Sequence, residues 1–237
     1  MHISALPALN DNYIWIIQQQ QGAPAVVVDP GDAQSVLDWL ASHQIELASL
    51  LVTHHHWDHT DGIEPLLQHY DVPVYGPKNS KFKLISDTLA EGDSFIPAGL
   101  KQSFNVLATP GHTLDHISYV TEGALFCGDT LFSAGCGRMF EGQPEQFHQS
   151  LQKLAKLPVT TAVYAAHEYT LANLRFAAAA EPDNQAIHEA TLAVSKLRAA
   201  GQPSLPSTIA TELSINPFLR AESATAFAKL RQWKDKF

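Results

Sequence analysis

Short apolar runs alternate with segments of helical periodicity along the first 167 residues. Tyr13 to Ile17 and Ala25 to Val28 are apolar, rich in β-branched residues and bounded by turn formers, which predicts two strands. Leu47 to Val52 is also strand-like and predicts a third strand. A helix before it is predicted from apolar residues at helical spacing, namely Val36, Leu37, Leu40 and Ala41.

The same alternation continues beyond this point. A helix is predicted from about Asp58 to Tyr70, because Ile63, Leu66, Leu67 and Tyr70 share one face. Three further strands are predicted at Asn105 to Ala108, Ala124 to Cys127 and Ala162 to Ala165. The pattern indicates a layered α/β fold in which helices cover a sheet.

Strand signals fade from Glu168 onward. One helical stripe consists of Ile187, Ala190, Val194 and Leu197, and a second of Phe227, Leu230, Trp233 and Phe237. The segment Gln202 to Thr208, rich in Pro and Ser, is expected to connect them. We therefore predict two domains, residues 1–168 and a small helical region 169–237.

Charge is distributed unevenly over the 237 residues, which carry 15 Lys+Arg and 24 Asp+Glu, a net charge of -9. Nucleic acid is not an expected partner of such an acidic chain, since phosphate binding needs clustered cations. No Lys or Arg precedes Lys78, and no apolar run approaches the ~20 residues of a membrane span. We expect a cytoplasmic protein with no membrane contact. Residues 196–237 are the exception, with 7 Lys+Arg against 3 Asp+Glu.

Cys127 and Cys136 are the only cysteines, too few for a disulfide framework and not in a CxxC pair. They are expected to be reduced thiols with a structural role. No obligate protein partner is evident from the sequence.

The most specific local motif is Thr53-His54-His55-His56-Trp57-Asp58-His59, directly after a predicted strand. If the chain remains extended there, His54, His56 and Asp58 point to the same side, because side chains alternate along a strand. His59 joins them as the chain turns into a helix. Nitrogen and oxygen donors of this kind suit zinc, iron or manganese.

Three other predicted strands also end in a residue that can bind metal: His112, Asp129 and His167. Ligand-binding groups gather at the carboxyl edge of sheets in α/β folds. Taken singly, either histidine could be a capping or buried residue, and Asp129 a turn residue. Together with the histidine motif they give seven donors at four strand ends, which fits two metal ions better than one.

The order and spacing of these motifs resemble the metallo-β-lactamase superfamily. The motifs are the histidine run, Gly-His-Thr from Gly111, Gly-Asp-Thr-Leu-Phe from Gly128 and His-Glu-Tyr-Thr from His167. Within that superfamily, Gly135-Cys136-Gly137-Arg138 and Asn216-Pro217-Phe218-Leu219-Arg220 are similar to substrate-binding segments of the glyoxalase II, or hydroxyacylglutathione hydrolase, family. The resemblance covers nearly the whole chain.

The resemblance implies a four-layer αββα sandwich with a small helical C-terminal domain over the active site. It implies one metal ion on His54, His56 and His112, and a second on Asp58, His59 and His167, with Asp129 bridging both. Zinc is favoured for the two divalent ions. Iron and manganese are alternatives, because donors of this kind accept several metals.

The activity implied is hydrolysis of S-2-hydroxyacylglutathione thioesters, typically S-D-lactoylglutathione to glutathione and D-lactate, a step of methylglyoxal detoxification. A metal-bridging hydroxide would attack, oriented by Asp58 as the catalytic residue. The resemblance implies that Arg138, Phe140, Tyr169 and Arg220 bind the glutathione moiety. From its place in a turn after a strand, Asp29 is a candidate partner of a ligand histidine.

Several alternatives remain open from the sequence. Ser133 and Cys127 could be nucleophiles on residue type alone, and a one-iron persulfide dioxygenase, another hydrolase of the superfamily or a non-enzymatic metal-binding domain would share much of the pattern. The chain also departs from the family: Ala166 and Asp115 stand where Gly is common, and Phe140 where some members have Tyr. A cation expected after Arg220 is missing there, or comes from Lys229.

Overall fold

A computed structural model describes all 237 residues of the chain. The chain divides into two compact units. Unit 1 comprises residues 1–108 and 115–122, and unit 2 comprises residues 109–114 and 123–237. The functional division after residue 168 stays a prediction.

Unit 1 contains nine strands and three helices. Its strands are β1 (His2–Ala8), β2 (Asn12–Gln18), β3 (Ala25–Val28), β4 (Leu47–Leu51), β5 (Val74–Pro77), β6 (Asp87–Leu89), β7 (Ser94–Phe95), β8 (Phe104–Ala108) and β9 (Ile117–Thr121). Its helices are α1 (Ala33–His43), α2 (Trp57–Thr60) and α3 (Ile63–Leu67). The predicted strands at β2, β3, β4 and β8 and the predicted helix at α1 are confirmed.

Strands β1 to β6 form a six-stranded mixed sheet in sequence order. The β1–β2 and β2–β3 pairs are antiparallel, and the pairs from β3 to β6 are parallel. Strands β7, β8 and β9 pair antiparallel in succession. Because β3 and β4 are parallel neighbours, the segments that follow Val28 and Leu51 leave the sheet at the same edge.

Helix α1 packs its apolar face on the six-stranded sheet. Asp32 caps the helix by accepting a hydrogen bond from the backbone N–H of Gln34. Val36 and Leu40 are fully buried against a cluster that includes Ile16, Val27 and Leu50. Burial of a side chain of this size stabilises the fold by roughly 1.5–3 kcal/mol, so this packing holds the edge from which the histidine motif departs.

The single helix predicted from Asp58 to Tyr70 is wrong in detail, because the structure has two short helices, α2 and α3, separated by a turn. The backbone N–H of Gly62 bonds to the carbonyl of Pro30 at 3.0 Å, instead of continuing the helix. A Cβ on Gly31 would lie 1.8 Å from the carbonyl oxygen of Asp58. Close contact between the Asp-Pro-Gly turn and α2 therefore interrupts the helix and requires glycine.

Unit 2 contains five strands and five helices. Its strands are β10 (Ala124–Gly128), β11 (Leu131–Phe132), β12 (Gly135–Cys136), β13 (Ala162–Ala165) and β14 (Ser207–Thr208). Its helices are α4 (Pro144–Ala155), α5 (Thr170–Ala180), α6 (Gln185–Ala199), α7 (Ile209–Ile215) and α8 (Ala224–Lys234). Strand β10 is parallel to β13, as expected for two strands joined through a helix.

The predicted C-terminal helices are confirmed as α6 and α8, with Phe237 just beyond the end of α8. Ile187 of α6 is buried in a small core with Leu174 and Ala177 of α5 and Ile215 of α7. The connector differs from the prediction, because its last two residues form strand β14, antiparallel to β13. A two-residue strand carries too few residues for a periodic signal.

Both cysteines are free and buried, which agrees with the predicted structural thiols. None of the helices combines the length and the apolar character that crossing a bilayer requires.

Candidate metal centre

Two turns at the carboxyl edge of the unit 1 sheet carry the first group of candidate ligands. Asp29 directly follows β3, and Thr53 to His59 follow β4. Asp29 has a backbone φ of 52°, a left-handed conformation that is uncommon for a residue other than glycine. Strained backbone of this kind concentrates at functional sites, and the side chain of Asp29 explains why it is kept here.

Asp29 fixes the histidine motif through three hydrogen bonds. Its carboxylate accepts from the backbone N–H and the hydroxyl of Thr53, both at 2.7 Å, and from Nδ1 of His59 at 3.0 Å. The Thr53 hydroxyl donates to Asp29, so it accepts from Nδ1 of His54 at 3.0 Å. Both histidines are thereby assigned the tautomer whose Nε2 is available to a metal. These contacts agree with the prediction that Asp29 is the partner of a histidine in the motif, whereas metal binding by that histidine stays a prediction.

The donor atoms of unit 1 converge. Nε2 of His54 lies 3.1 Å from Nδ1 of His56, and Nε2 of His59 lies 3.5 Å from Oδ2 of Asp58. The ring centroids of His54 and His59 are 4.2 Å apart. Asn12 orients Asp58 by donating from Nδ2 to its Oδ2 at 3.1 Å. All four predicted ligands of this unit therefore lie in one cluster.

The backbone that produces this cluster differs from the predicted extended segment. The strand ends at Leu51, and Asp58 and His59 already belong to helix α2, for which His56 is the N-cap. Asp58 thus approaches His59 from the first turn of a helix, and not from an extended segment.

Unit 2 supplies the other three predicted ligands, from three separate segments. His112 lies in the loop after residue 108, Asp129 follows β10 and His167 follows β13. Oδ2 of Asp129 is 3.3 Å from Nε2 of His112, and Oδ1 is 3.3 Å from Nε2 of His167. The two oxygens of one buried carboxylate therefore face two different histidines, the arrangement expected of a ligand shared by two ions.

These donor spacings fit coordination to metal. Two nitrogens bound tetrahedrally to one zinc ion, each about 2.0–2.1 Å from it, are about 3.3 Å apart. The four donor pairs within the units have separations from 3.1 to 3.5 Å. Each of the seven residues also belongs to a group of side chains that could hold a metal ion. Nitrogen and carboxylate donors at such spacing suit a site for divalent metals.

The ring of His112 is held from behind by the main chain. Its Nδ1 donates to the carbonyl of Arg138 at 2.7 Å, which leaves Nε2 facing Asp129. A Cβ on Gly137 would lie 2.0 Å from the carbonyl oxygen of Asp129 and 3.0 Å from Nδ1 of His112. Only glycine fits at this position, so the Gly-Cys-Gly-Arg motif supports the ligands.

A cavity of about 380 Å³ opens beside His112 and Asp129 within unit 2. Arg138, Phe140 and Tyr169, three of the predicted substrate residues, line it. The ring of Tyr169 stacks on His167 with centroids 4.7 Å apart. Phe140 is 60% exposed, and its ring meets His112 edge-on at 5.3 Å.

Arg220 has other partners. Its guanidinium pairs with Glu181 and donates to the carbonyl of Leu213 at 2.8 Å, and it does not line the cavity. The cavity is lined instead by Arg231 and Lys234 of α8. The sequence carries a signal for them, because two cations three residues apart on a helix share one face, but the apolar stripe of that helix is the stronger pattern.

The environment of Lys234 is positively charged and partly dehydrated. Its pKa is lowered by burial first, and then by the charges of Arg231 and Arg175. Its ammonium group lies 5.3 Å from the ring centre of Phe176. An anion in the cavity would offset this repulsion, so the cations favour a negatively charged ligand.

Neither alternative nucleophile is placed to react. Desolvation raises the pKa of the buried Cys127 thiol far above its ordinary value. Ser133 is also buried, with 4% of its surface exposed. The reactive form of cysteine is the thiolate, so Cys127 has the character of a core residue.

The comparisons with known proteins agree with this fold and site. Residues 9–167 match the family model of the metallo-β-lactamase superfamily. The crystal structure of ETHE1 from Myxococcus xanthus has a TM-score of 0.75 and 27% identity, covering 98% of this chain and 90% of that one. The fold and the strand-end donors thus define a protein of the metallo-β-lactamase superfamily, which confirms the predicted fold class.

Matches that include residues 168–237 narrow the assignment from the superfamily to one family within it. Residues 168–237 match the model of the hydroxyacylglutathione hydrolase C-terminus. Hydroxyacylglutathione hydrolases from Chromohalobacter salexigens and Idiomarina loihiensis are both 49% identical, covering 98% and 99%, respectively, of this chain and the same shares of their own lengths. The chain belongs to the hydroxyacylglutathione hydrolase family.

Replacing Asp29 tests its role in fixing the ligand histidines. We expect Asp29→Asn to weaken metal affinity by about 10- to 100-fold, because substitution of residues that orient metal ligands has effects of this size. Competition with a chromophoric chelator measures the affinity. Asp32→Asn is the matched control, since Asp32 lies in the same turn but caps α1. Equal affinities in the two variants would contradict the role of Asp29.

Proposed function

We propose that this chain hydrolyses S-2-hydroxyacylglutathione thioesters, with S-D-lactoylglutathione as the typical substrate, at a site for two divalent metal ions. The observation that carries the proposal is Asp129, whose two carboxylate oxygens each face a different histidine at 3.3 Å. The metal chemistry suits a thioester, and the family relationship supplies the substrate class.

The proposed ligands are divided as the family resemblance implies. His54, His56 and His112 would hold one ion, Asp58, His59 and His167 the other, and Asp129 would bind both. Zinc is favoured, with iron or manganese as alternatives, because the donors are nitrogen and carboxylate oxygen. When bound, two such ions polarise a carbonyl group and lower the pKa of water towards ~7.

The residues of the chain would orient the reacting groups. Asp58, held by the Asn12 amide at 3.1 Å, is proposed to accept a hydrogen bond from the attacking water and so to direct it towards the thioester carbonyl. Glutathione leaves as a thiolate when the C–S bond breaks, and it is a good leaving group because the pKa of an ordinary thiol is about 8.5. A strong general acid is therefore not required, and we assign none.

The glutathione moiety would occupy the cavity of unit 2. Glutathione is a peptide carrying carboxylates, and Arg138, Arg231 and Lys234 bring three positive charges to the cavity wall. Tyr169 and Phe140 add aromatic walls, and Arg138 also provides a planar group that pairs well with carboxylates.

We propose that residues 1–168 carry the metal chemistry, that residues 169–237 contribute to substrate binding, and that the protein works in the cytoplasm.

Metal removal is the direct test. We expect the purified protein to consume S-D-lactoylglutathione, monitored by its thioester absorbance, and to lose at least about 100-fold in rate after chelation, because the metals supply several kcal/mol of transition-state stabilisation. Readdition of zinc should restore turnover, with two ions per chain by elemental analysis.

A parallel assay separates the proposal from its alternatives. Oxygen consumption with glutathione persulfide, without thioester turnover, would favour a persulfide dioxygenase. Two bound metal ions with neither activity would favour a non-enzymatic metal-binding domain, and either result would overturn the proposed function.

A further inference from the structure

The segment Leu131–Arg138, here called the cavity loop, forms part of the cavity wall with Phe132, Cys136 and Arg138. Its hairpin consists of only two residue pairs, Leu131 with Cys136 and Phe132 with Gly135. Ala134 in the turn has a φ of 55°, which is unfavourable for a residue with a side chain. So short a hairpin is not stable alone, and its position must depend on other contacts.

Two buried side chains hold the turn of the cavity loop: Glu212 of α7 and Asn216, the residue directly after that helix. Nδ2 of Asn216 donates to the carbonyls of Phe132 at 3.1 Å and Gly135 at 2.8 Å. Oε2 of Glu212 accepts from the backbone N–H of Ala134 at 2.8 Å and from Asn216 at 3.1 Å. Neither Asn216 nor Glu212 has any exposed surface.

Two further C-terminal helices hold the rest of the loop. Nδ2 of Asn173, in α5, donates to the carbonyl of Ser133 at 3.1 Å. Nη1 of Arg231, in α8, donates to the carbonyls of Cys136 at 3.0 Å and Gly137 at 3.4 Å. Every residue from 132 to 137 thus has a main-chain group bonded to a side chain from residues 173–231. Removing a partner from a buried polar group costs more than the bond itself, so these contacts specify one loop position.

The last residue of the cavity loop connects it to the metal ligands. The carbonyl of Arg138 accepts the Nδ1 proton of His112 at 2.7 Å. A shift of the loop would therefore rotate His112 relative to Asp129 and displace Arg138 in the cavity.

We propose that Asn216 is a positioning residue, which together with Glu212 holds the cavity loop so that His112 and Arg138 stay in their working orientations. Asn216 would thus act on both the metal and the substrate without touching either. The substrate half of this inference rests on the proposed thioesterase activity, whereas the metal half rests only on the proposed role of His112 as a metal ligand.

A pair of asparagine substitutions separates positioning from a purely structural contribution. Asn216→Ser removes the long amide donor that reaches Phe132 and Gly135. Asn184→Ala is the matched control, since Asn184 caps α6 and bonds to the carbonyl of Ser214, with no contact to the cavity loop. Three quantities are measured for each: the unfolding temperature of the metal-free protein, the affinity for Co²⁺ by chelator competition, and KM and kcat for S-D-lactoylglutathione.

We expect Asn216→Ser to weaken Co²⁺ affinity by about 10- to 100-fold, the range for residues that support metal ligands, and to raise KM. Asn184→Ala should lower the unfolding temperature by about 2–4 °C while Co²⁺ affinity and KM stay at the wild-type values. If Asn216→Ser lowers only the unfolding temperature, as the control does, the positioning role is overturned.

A second substitution keeps the test decisive if Asn216→Ser does not fold. Asn173→Ser removes a single bond to the loop, at Ser133, and should weaken Co²⁺ affinity in the same direction. Unchanged affinity would show that the contacts of the loop do not set metal affinity, which overturns the proposal. Wild-type protein that binds Co²⁺ without hydrolysing the thioester would refute the proposed function, while the affinity measurements would still decide the role of Asn216.

Discussion

Asp129→Asn is expected to bind fewer than two metal ions per chain and to lower turnover by more than about 100-fold. Even substitutions of residues that only orient metal ligands lower metal affinity or activity by about 10- to 100-fold. The side chain faces His112 with one oxygen and His167 with the other. Asparagine would replace one oxygen by an NH₂ group that does not coordinate, and would remove the negative charge. Elemental analysis and the thioester assay on the same sample measure both effects.

Asp93→Asn is the control for this substitution. Asp93 is exposed and accepts a hydrogen bond from the backbone of Ala90 in a turn. This variant should keep both metal content and turnover. An Asp129→Asn protein with two ions per chain and the wild-type rate would show that Asp129 is not a shared ligand.

Lys234→Met is expected to lower kcat/KM by about 10- to 100-fold, mainly through KM, because a hydrogen bond to a charged group contributes about 1.5–3 kcal/mol. Methionine keeps an apolar stem against Phe176 and removes the charge that faces the cavity. The dependence of KM on salt concentration should also become weaker, since one screened attraction is lost. Steady-state kinetics at two ionic strengths provide the measurement.

Lys229→Met is the matched control, because Lys229 lies on the same helix and is exposed. If Lys229 supplied the cation of the substrate site, Lys229→Met would lower kcat/KM and Lys234→Met would leave it unchanged. An unchanged KM in Lys234→Met would remove Lys234 from the site.

The fold could be predicted from the sequence where periodicity was strong. The strands β2 and β3 are short apolar runs bounded by turn formers, and β4 and β13 are short apolar runs. All four appear where the pattern predicts them. The helix from Asp58 to Tyr70 could not be predicted correctly, because its interruption depends on a contact with Pro30, about thirty residues earlier. Periodicity contains no information about such contacts.

The candidate site shows the same distinction. The histidine run is visible in the sequence because its ligands are close together along the chain. The relay from His54 through Thr53 to Asp29 depends on two parallel strands lying side by side, so it needs the fold. The cations that line the cavity are hard to recognise in the sequence for a different reason. Arg220 stands in a recognisable motif, whereas Arg231 and Lys234 stand in a helix that looks like ordinary amphipathic sequence.

The two donor groups also differ in how they depend on folding. His54, His56, Asp58 and His59 lie within six consecutive residues, so much of this group persists in an unfolded chain. His112, Asp129 and His167 are spread over 56 positions and meet only in the folded state. Because binding to the unfolded chain offsets binding to the native one, excess zinc should stabilise this protein less than its affinity for the finished site implies. Under the proposed ligand assignment, the histidine run would offer metal an early binding point, and the dispersed group would make the site selective for the folded protein.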